Sequence, residues 1–180
     1  MTKKEWQILS KQTVVEGKRR GLESWEVSAP NGTTHTFHMV SGPDVVITFA
    51  VTTDNKVLFI QEFFPSLMKK QWSLVGGMLE DGETPLENSK KELLEETGYH
   101  AEEHVHVGSI IKGKWTLGNV HFYLAKGARK VQKQQLEAAE DVDVYELSFE
   151  EFIPLLRGQS VVGTYDALCA YYALDRLGKL

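Results

Sequence analysis

The chain has 180 residues, 42% of them hydrophobic and 25% charged, values typical of a single globular domain or of one with a small appendage. Its only cysteine, Cys169, excludes a disulfide framework and a cysteine-rich zinc site. The net charge of −5 disfavours broad contact with a nucleic-acid backbone, which requires a basic face. The chain shows neither a signal-peptide pattern nor an apolar run of the ~20 residues that span a membrane. We therefore expect a soluble cytoplasmic protein without membrane or nucleic-acid partners.

Strand patterns dominate the first half of the chain. Residues 6–40 alternate β-branched or aromatic stretches with turns, and Asn31-Gly32 is a dipeptide typical of a tight hairpin. The stretch Asp44–Val51 is almost wholly apolar, as in a strand that is buried on both faces. A loop is expected over residues 65–70, before the pair Gly76-Gly77. Further strands are predicted over Val57–Phe64, Trp72–Val75, Val105–Ile111, Val120–Ala125 and Val142–Leu147.

Two helices are predicted from capping signals and a third from its periodicity. Thr84 and Glu87 form a capping box with proline at the first helical position, and Gly98 is the expected C-cap. The mixed order of strands and helices favours a three-layer α/β/α sandwich or an α+β domain. The predicted helices run from Thr84 to Glu96 or Thr97, from a second capping box at Ser148 with a kink at Pro154, and over 166–177.

The first of these helices carries a group of carboxylates. Glu92 and Glu96 are four residues apart and Glu92 and Glu95 three, which places all three on one face. Their repulsion costs a few tenths of a kcal/mol per pair, and a hard divalent cation with oxygen ligands would offset it. The helix alone equally suits an exposed surface helix with a Glu87–Lys91 pair.

The spacing of the stretch from Gly77 to Tyr99 decides between these interpretations. It resembles the Nudix box, Gly-x5-Glu-x7-Arg-Glu-apolar-x-Glu-Glu-x-Gly-apolar, and all of its glycines and glutamates match. The one departure is Lys91, which stands where the box has an arginine that helps to hold the carboxylates; lysine lacks the planar fork of that arginine. The matching residues are Gly77, Glu83, Glu92, Leu93, Glu95, Glu96, Gly98 and Tyr99.

The resemblance implies a fold, a reaction and a set of site residues. The fold is a Nudix-type α/β/α sandwich with a mixed central sheet over 43–180, preceded by an N-terminal antiparallel β extension over 1–42. The reaction is hydrolysis of a diphosphate that requires Mg²⁺, with Mn²⁺ as an alternative. Glu140 is the candidate for an added ligand or general base and Glu137 the reserve, although both equally suit a solvated acidic loop. The implied metal ligands are Glu92, Glu95, Glu96 and a backbone carbonyl near Gly76, supported from outside by Glu83 and Lys91.

The flanking sequence is similar to the ADP-ribose and nucleoside-diphosphate-sugar pyrophosphatase branch of the family. This similarity implies a homodimer, built through the N-terminal extension, and a small-molecule nucleoside diphosphate conjugate as substrate. Two departures are Phe64, where the branch commonly has arginine, and Lys114-Trp115-Thr116, where it commonly has proline. Trp6, Phe64 and Trp115 are candidates to stack on a base or sugar, and each also suits a core or interface position.

Two other functions remain open from the sequence. One is hydrolysis of another nucleotide class, such as a nucleoside triphosphate, a dinucleotide polyphosphate or the 5′ end of RNA. The other is a non-catalytic Nudix-like nucleotide sensor, for which Lys91 is the main support.

Overall fold

The structure is a computed structural model that describes residues 5–17, 19–158 and 163–180. The chain forms two compact units, one comprising Met1–Asp44 and Ile111–Asn119 and the other Val45–Ile110 and Val120–Leu180. Among the described residues, no helix is long and apolar enough to cross a membrane.

The first unit is a small sheet. Strands β1 (Gln7–Val15), β2 (Gly21–Ser28) and β3 (Thr34–Ser41) pair in antiparallel order. The predicted hairpin at Asn31-Gly32 is confirmed, and Gly32 adopts the φ of +89° that this turn requires. Every residue of β1 is exposed, including four large apolar side chains.

The second unit contains a mixed sheet. Its central order is β10-β4-β5-β11, in which β10 runs parallel to β4 and the other pairs are antiparallel. Strand β7 pairs with β4, β6 pairs with β5, and β8 and β9 pair with β10. The strands are β4 (Val45–Thr52), β5 (Val57–Phe64), β6 (Lys69–Ser73), β7 (Val75–Met78), β8 (Tyr99–His100), β9 (Glu103–Gly113), β10 (Thr116–Lys130) and β11 (Val142–Leu147).

Helices cover both faces of this sheet. Helix α1 (Pro85–Thr97) packs on β4 and β7, and its Leu93 joins Leu58 and Ile60 in one apolar cluster. Helices α2 (Phe149–Arg157) and α3 (Thr164–Arg176) cover a second cluster, in which Phe152 packs edge-on against Phe49 and Phe59. The prediction of an α/β/α sandwich with a mixed sheet is confirmed.

The element bounds agree with the predicted pattern except around the hairpins and at the strand predicted over Trp72–Val75, which Leu74 divides between β6 and β7. The loop predicted over 65–70 is shorter, because β6 already starts at Lys69, which pairs with Phe64. Strands β9 and β10 extend well beyond the predicted 105–111 and 120–125, since only Lys114 and Trp115 separate them. Cross-strand pairing therefore lengthens strands through residues whose own pattern is not strand-like.

Candidate active site

Helix α1 is fixed at both ends by local hydrogen bonds. The Thr84 side chain accepts a hydrogen bond from the backbone N–H of Glu87, and the Glu87 carboxylate accepts one from the backbone N–H of Thr84. The hydrogen bonds that the Thr84 hydroxyl and the Thr84 backbone N–H donate to the Glu87 carboxylate lower the pKa of Glu87. At the other end, Gly98 takes the left-handed conformation and its N–H donates to Leu94 O. Because buried Leu93 faces the sheet, the turns of α1 that carry the glutamates lie against β7.

Glu96 is the most deeply buried of the predicted ligands, at 4% exposure. Its carboxylate accepts a hydrogen bond of 3.2 Å from the backbone N–H of Gly76 on β7. Burial raises the pKa of Glu96 well above its ordinary value, and the nearby carboxylates of Glu62, Glu92 and Glu140 raise it further. Burial and this many acidic neighbours favour the binding of a proton or a cation to the carboxylate.

Glu92 lies beside Glu96 on the same face of α1. Its pKa is raised to about 7, first by burial and then by Glu95, Glu140 and Glu83, while Lys91 opposes the shift. The glutamates Glu83, Glu92, Glu95 and Glu96 therefore contribute to one region of negative potential, and the structure also brings Glu140 into it.

Glu83 and Lys91 form separate contacts at the start of α1. The Glu83 carboxylate accepts hydrogen bonds from the backbone N–H of Glu80, at 3.0 Å, and from the side-chain amide of Asn88, at 2.9 Å. The Lys91 ammonium forms an ion pair of 2.7 Å with Glu80. This ion pair raises the pKa of Lys91, and Glu83 and Glu92 add to the shift.

The two acidic candidates from the late loop differ in their surroundings. Glu137 and Glu140 close one turn, in which the backbone N–H of Glu140 donates to Glu137 O and the Glu140 carboxylate accepts from the backbone N–H of Glu137. Glu140 raises the pKa of Glu92 and Glu96, whereas the Glu137 side chain is exposed. The charge of Glu140 therefore acts on the glutamates of the box.

Glu62 on β5 is a member of the site that sequence reasoning missed. Burial and the carboxylates of Asp166 and Glu140 raise the pKa of Glu62, while a hydrogen bond with Ser73 opposes this shift. The available signal was the period of two along β5. Leu58 and Ile60 face the buried cluster under α1, and Glu62 continues the same face.

These residues fit a hard divalent cation in donor type. The donors are carboxylate oxygens, and their mutual repulsion is what such an ion relieves. Among the described residues, no three acidic, histidine or cysteine side chains already stand close enough together to hold a metal ion. Hydrogen bonds from Gly76 and Asn88 hold the carboxylates of Glu96 and Glu83, respectively.

The three aromatic candidates do not form one group. Trp6 and Trp115, 58% and 47% exposed, both contact Phe37 in the first unit, with ring centroids 6.3 Å and 5.6 Å apart. Lys114 lies over the Trp115 ring, 4.8 Å from its centroid. Phe64 is partly buried at the end of β5, in the second unit.

Comparisons with known proteins agree with this arrangement. The family model described as the NUDIX domain matches residues 42–165. The chain is 30% identical over 169 residues to an ADP-ribose pyrophosphatase of Bacillus subtilis, an alignment that covers 93% of this chain and 90% of that protein. It is 27% identical over 170 residues to a methanol dehydrogenase activator of Bacillus methanolicus, covering 93% and 92%. The fold matches a crystal structure of an ADP compounds hydrolase with a TM-score of 0.84 at 16% identity, over 100% of both chains.

The fold and the family match together define an enzyme that hydrolyses its substrate. The family match over more than half of the chain shows that this protein belongs to the Nudix family. It is a Nudix hydrolase, and its relatives imply a small-molecule nucleotide as substrate. Enzymes of this family generally use divalent metal ions.

Proposed function

We propose that this Nudix hydrolase is a Mg²⁺-dependent pyrophosphohydrolase of ADP-ribose or nucleoside-diphosphate sugars, which releases a nucleoside monophosphate and a sugar phosphate. The observation that carries the proposal is the set of mutually repelling carboxylates of Glu92, Glu96 and Glu140 beside Gly76. The substrate class is supported by the Bacillus subtilis ADP-ribose pyrophosphatase, which aligns with 93% of the chain.

The residues divide into metal-holding and proton-accepting roles. A divalent cation, Mg²⁺ or alternatively Mn²⁺, neutralises pyrophosphate charge and lowers the pKa of an attacking water. Glu92, Glu95, Glu96 and a backbone carbonyl near Gly76 would hold it. Glu140 is our choice for an added ligand or for the base that accepts the proton of that water, with Glu137 as the reserve.

The exposed aromatic residues are proposed to bind the organic part of the substrate. Trp6 and Trp115 each present a half-exposed ring, and such rings suit stacking on a base or sugar. Phe64 is proposed to contribute from the end of β5. Alanine at either tryptophan should raise KM and leave kcat nearly unchanged, because stacking lowers the energy of the bound substrate and of its transition state alike.

A homodimer is part of the same proposal. Strand β1 exposes Ile8, Leu9, Val14 and Val15, each more than half accessible, and a strand with this much apolar surface is suited to an interface. Sedimentation analysis of the wild type and of a double I8K/V14K variant tests it. A cytoplasmic location is also proposed, since the one cysteine, Cys169, is a buried free thiol.

A hydrolysis panel tests the proposed reaction. ADP-ribose, several nucleoside-diphosphate sugars, diadenosine polyphosphates, nucleoside triphosphates and triphosphate-ended RNA would each be incubated with Mg²⁺, and the products identified by mass. Cleavage of the sugar conjugates to monophosphate and sugar phosphate is expected, and Glu96→Gln should abolish it without loss of fold. Preference for another class would overturn the substrate assignment, and tight binding without turnover at any Mg²⁺ or Mn²⁺ concentration would favour a sensor.

A second candidate function rests on one observation, the 27% identity to a methanol dehydrogenase activator. Activation of a dehydrogenase is measured by adding the wild type or Glu96→Gln to a purified methanol dehydrogenase. An increase in alcohol oxidation that requires Glu96 would connect the two functions through hydrolysis.

A further inference from the structure

Asn88 is a fully buried amide at the centre of the candidate site. It lies on α1, one turn before Glu92, and its side-chain nitrogen faces three oxygen acceptors. The distances from Asn88 Nδ2 are 2.9 Å to Glu83 Oε2, 3.2 Å to Met78 O and 3.4 Å to Glu92 Oε1. One amide therefore connects strand β7, Glu83 ahead of the helix and a predicted metal ligand.

The orientation of this amide follows from its partners. All three neighbouring atoms are acceptors, so only the NH₂ group can face them, and a flipped amide would set its oxygen against two carboxylates and a carbonyl. The amide oxygen, Asn88 Oδ1, is buried and has no hydrogen-bond partner among the described residues. Burial of an acceptor without a partner disfavours folding, so the amide is costly to the fold at this position. Donation to the carboxylates gives a reason for keeping it.

Lys91 does not provide a hydrogen bond to the same carboxylates. Its ammonium donates to Glu80, 2.7 Å away, and reaches Glu83 and Glu92 only through longer-range attraction. Among the described contacts, Asn88 is the side chain that donates hydrogen bonds to both Glu83 and Glu92.

We propose that Asn88 is a positioning residue that holds the Glu83 and Glu92 carboxylates for the metal. Asn88 thereby takes the role of the arginine of the box, because Lys91 at that position donates to Glu80 instead. The inference rests on the proposed metal-dependent function. It predicts that loss of the amide weakens metal binding, because Glu92 then rotates away from the other ligands.

Direct Mn²⁺ binding to the wild-type protein and its variants tests this inference, measured from the spin-resonance signal of free Mn²⁺. Asn88→Leu keeps the approximate shape of the side chain without its donors, and Asn88→Ala removes the side chain. Both should weaken Mn²⁺ binding about 10-fold or more, as is typical when a partner of a metal ligand is lost. The KM for substrate at saturating metal should stay unchanged, and Lys91→Arg should restore part of the affinity to Asn88→Ala.

Ser89→Ala is the matched control. Ser89 is the next residue on α1 and equally buried, but its hydroxyl bonds to Thr48 and His104 rather than to a carboxylate. This variant should lose thermal stability and keep Mn²⁺ affinity. Equal Mn²⁺ binding by the wild type and folded Asn88 variants would overturn the role of Asn88 and leave the proposed function standing. If the wild type bound no Mn²⁺, the proposed function would fail, and the inference with it.

Discussion

Gly77 lies directly against the carboxylate of Glu92. A Cβ atom at Gly77 would overlap Glu92 Oε1 and the carbon that carries it. The close approach of β7 to α1 at this point thus requires a residue without a side chain. The glycine of the box therefore limits where the Glu92 carboxylate can lie, in addition to any freedom it gives the backbone.

Gly77→Ala should therefore reduce metal binding more than it reduces stability. The added methyl group pushes aside the flexible end of Glu92, so the fold adjusts while the ligand moves. We expect about a 10- to 100-fold weaker apparent Mg²⁺ affinity, measured from the Mg²⁺ dependence of turnover. The control is Gly108→Ala on β9, where a Cβ would meet only Tyr172, at 3.6 Å. Equal Mg²⁺ dependence of the two variants would contradict this role of Gly77.

Lys91→Ala should have a small effect. The Lys91–Glu80 ion pair is formed at the surface, with the Glu80 side chain 70% exposed, and such pairs contribute about 0–1 kcal/mol. Loss of that energy from the transition state would slow kcat by about fivefold at most. The measurements are kcat at saturating Mg²⁺ and the apparent Mg²⁺ affinity from the Mg²⁺ dependence of turnover. A loss of Mg²⁺ affinity as large as that of Gly77→Ala would mean that Lys91 does hold the carboxylates.

Much of the second unit could be predicted because its signals are local. The capping box at Thr84 and Glu87, the C-cap at Gly98 and the apolar run of β4 each depend on neighbouring residues alone. The limits of β9 and β10 could not be predicted, because they depend on pairing between two strands. The start of β6 at Lys69 likewise depends on its partner Phe64.

The candidate site residues were predictable where they follow the spacing along one helix or, for Glu83, Gly76 and Glu140, where the chain resembles the Nudix family. Glu92, Glu95 and Glu96 follow from spacing, whereas Glu62 and Asn88 enter through tertiary contacts. Glu62 lies on β5 and acts on Glu96 from there. The Asn88 amide belongs to the site because it donates hydrogen bonds to Met78 O and to the Glu83 carboxylate. Asn88 is a buried polar residue on α1 whose position the spacing of the glutamates does not explain.

Stability in the absence of metal should fall as pH rises between about 4.5 and 7. The pKa of Glu92 is raised from 4.5 to about 7, so the folded state binds more protons than the unfolded state within this window. The free energy of unfolding then decreases with pH, by about 3 kcal/mol at most from this residue. Urea unfolding in EDTA at several pH values measures it.

Two further measurements isolate the contribution of the Glu92 carboxyl to this pH dependence. Glu92→Gln removes the titrating group, so its unfolding free energy should decrease less steeply over the same pH range. Mg²⁺ competes with the proton on Glu92, so it should raise the melting temperature more at pH 8 than at pH 6. An identical slope in Glu92→Gln would show that this carboxyl does not titrate as described.

Substitutions of Glu140 and of Glu137 should have clearly different effects on kcat. The segment that carries them is anchored by Lys70, whose ammonium lies 2.6 Å from Asp141 and 2.7 Å from Asp143. Glu140 is thereby held where it raises the pKa of Glu92 and Glu96, whereas the Glu137 side chain is exposed. Glu140→Gln should lower kcat by about 10²–10⁴-fold if it accepts the proton, and remove the acidic limb of the pH–rate profile.

Glu137→Gln is the matched control, since it changes the same group in the same turn. It should retain nearly full kcat and an unchanged pH profile. The opposite ranking of the two variants would transfer the role of base to Glu137. A Glu140→Gln variant with normal kcat at saturating Mg²⁺ but a weaker apparent Mg²⁺ affinity would make Glu140 a metal ligand, because the loss would then be recovered by raising the metal concentration.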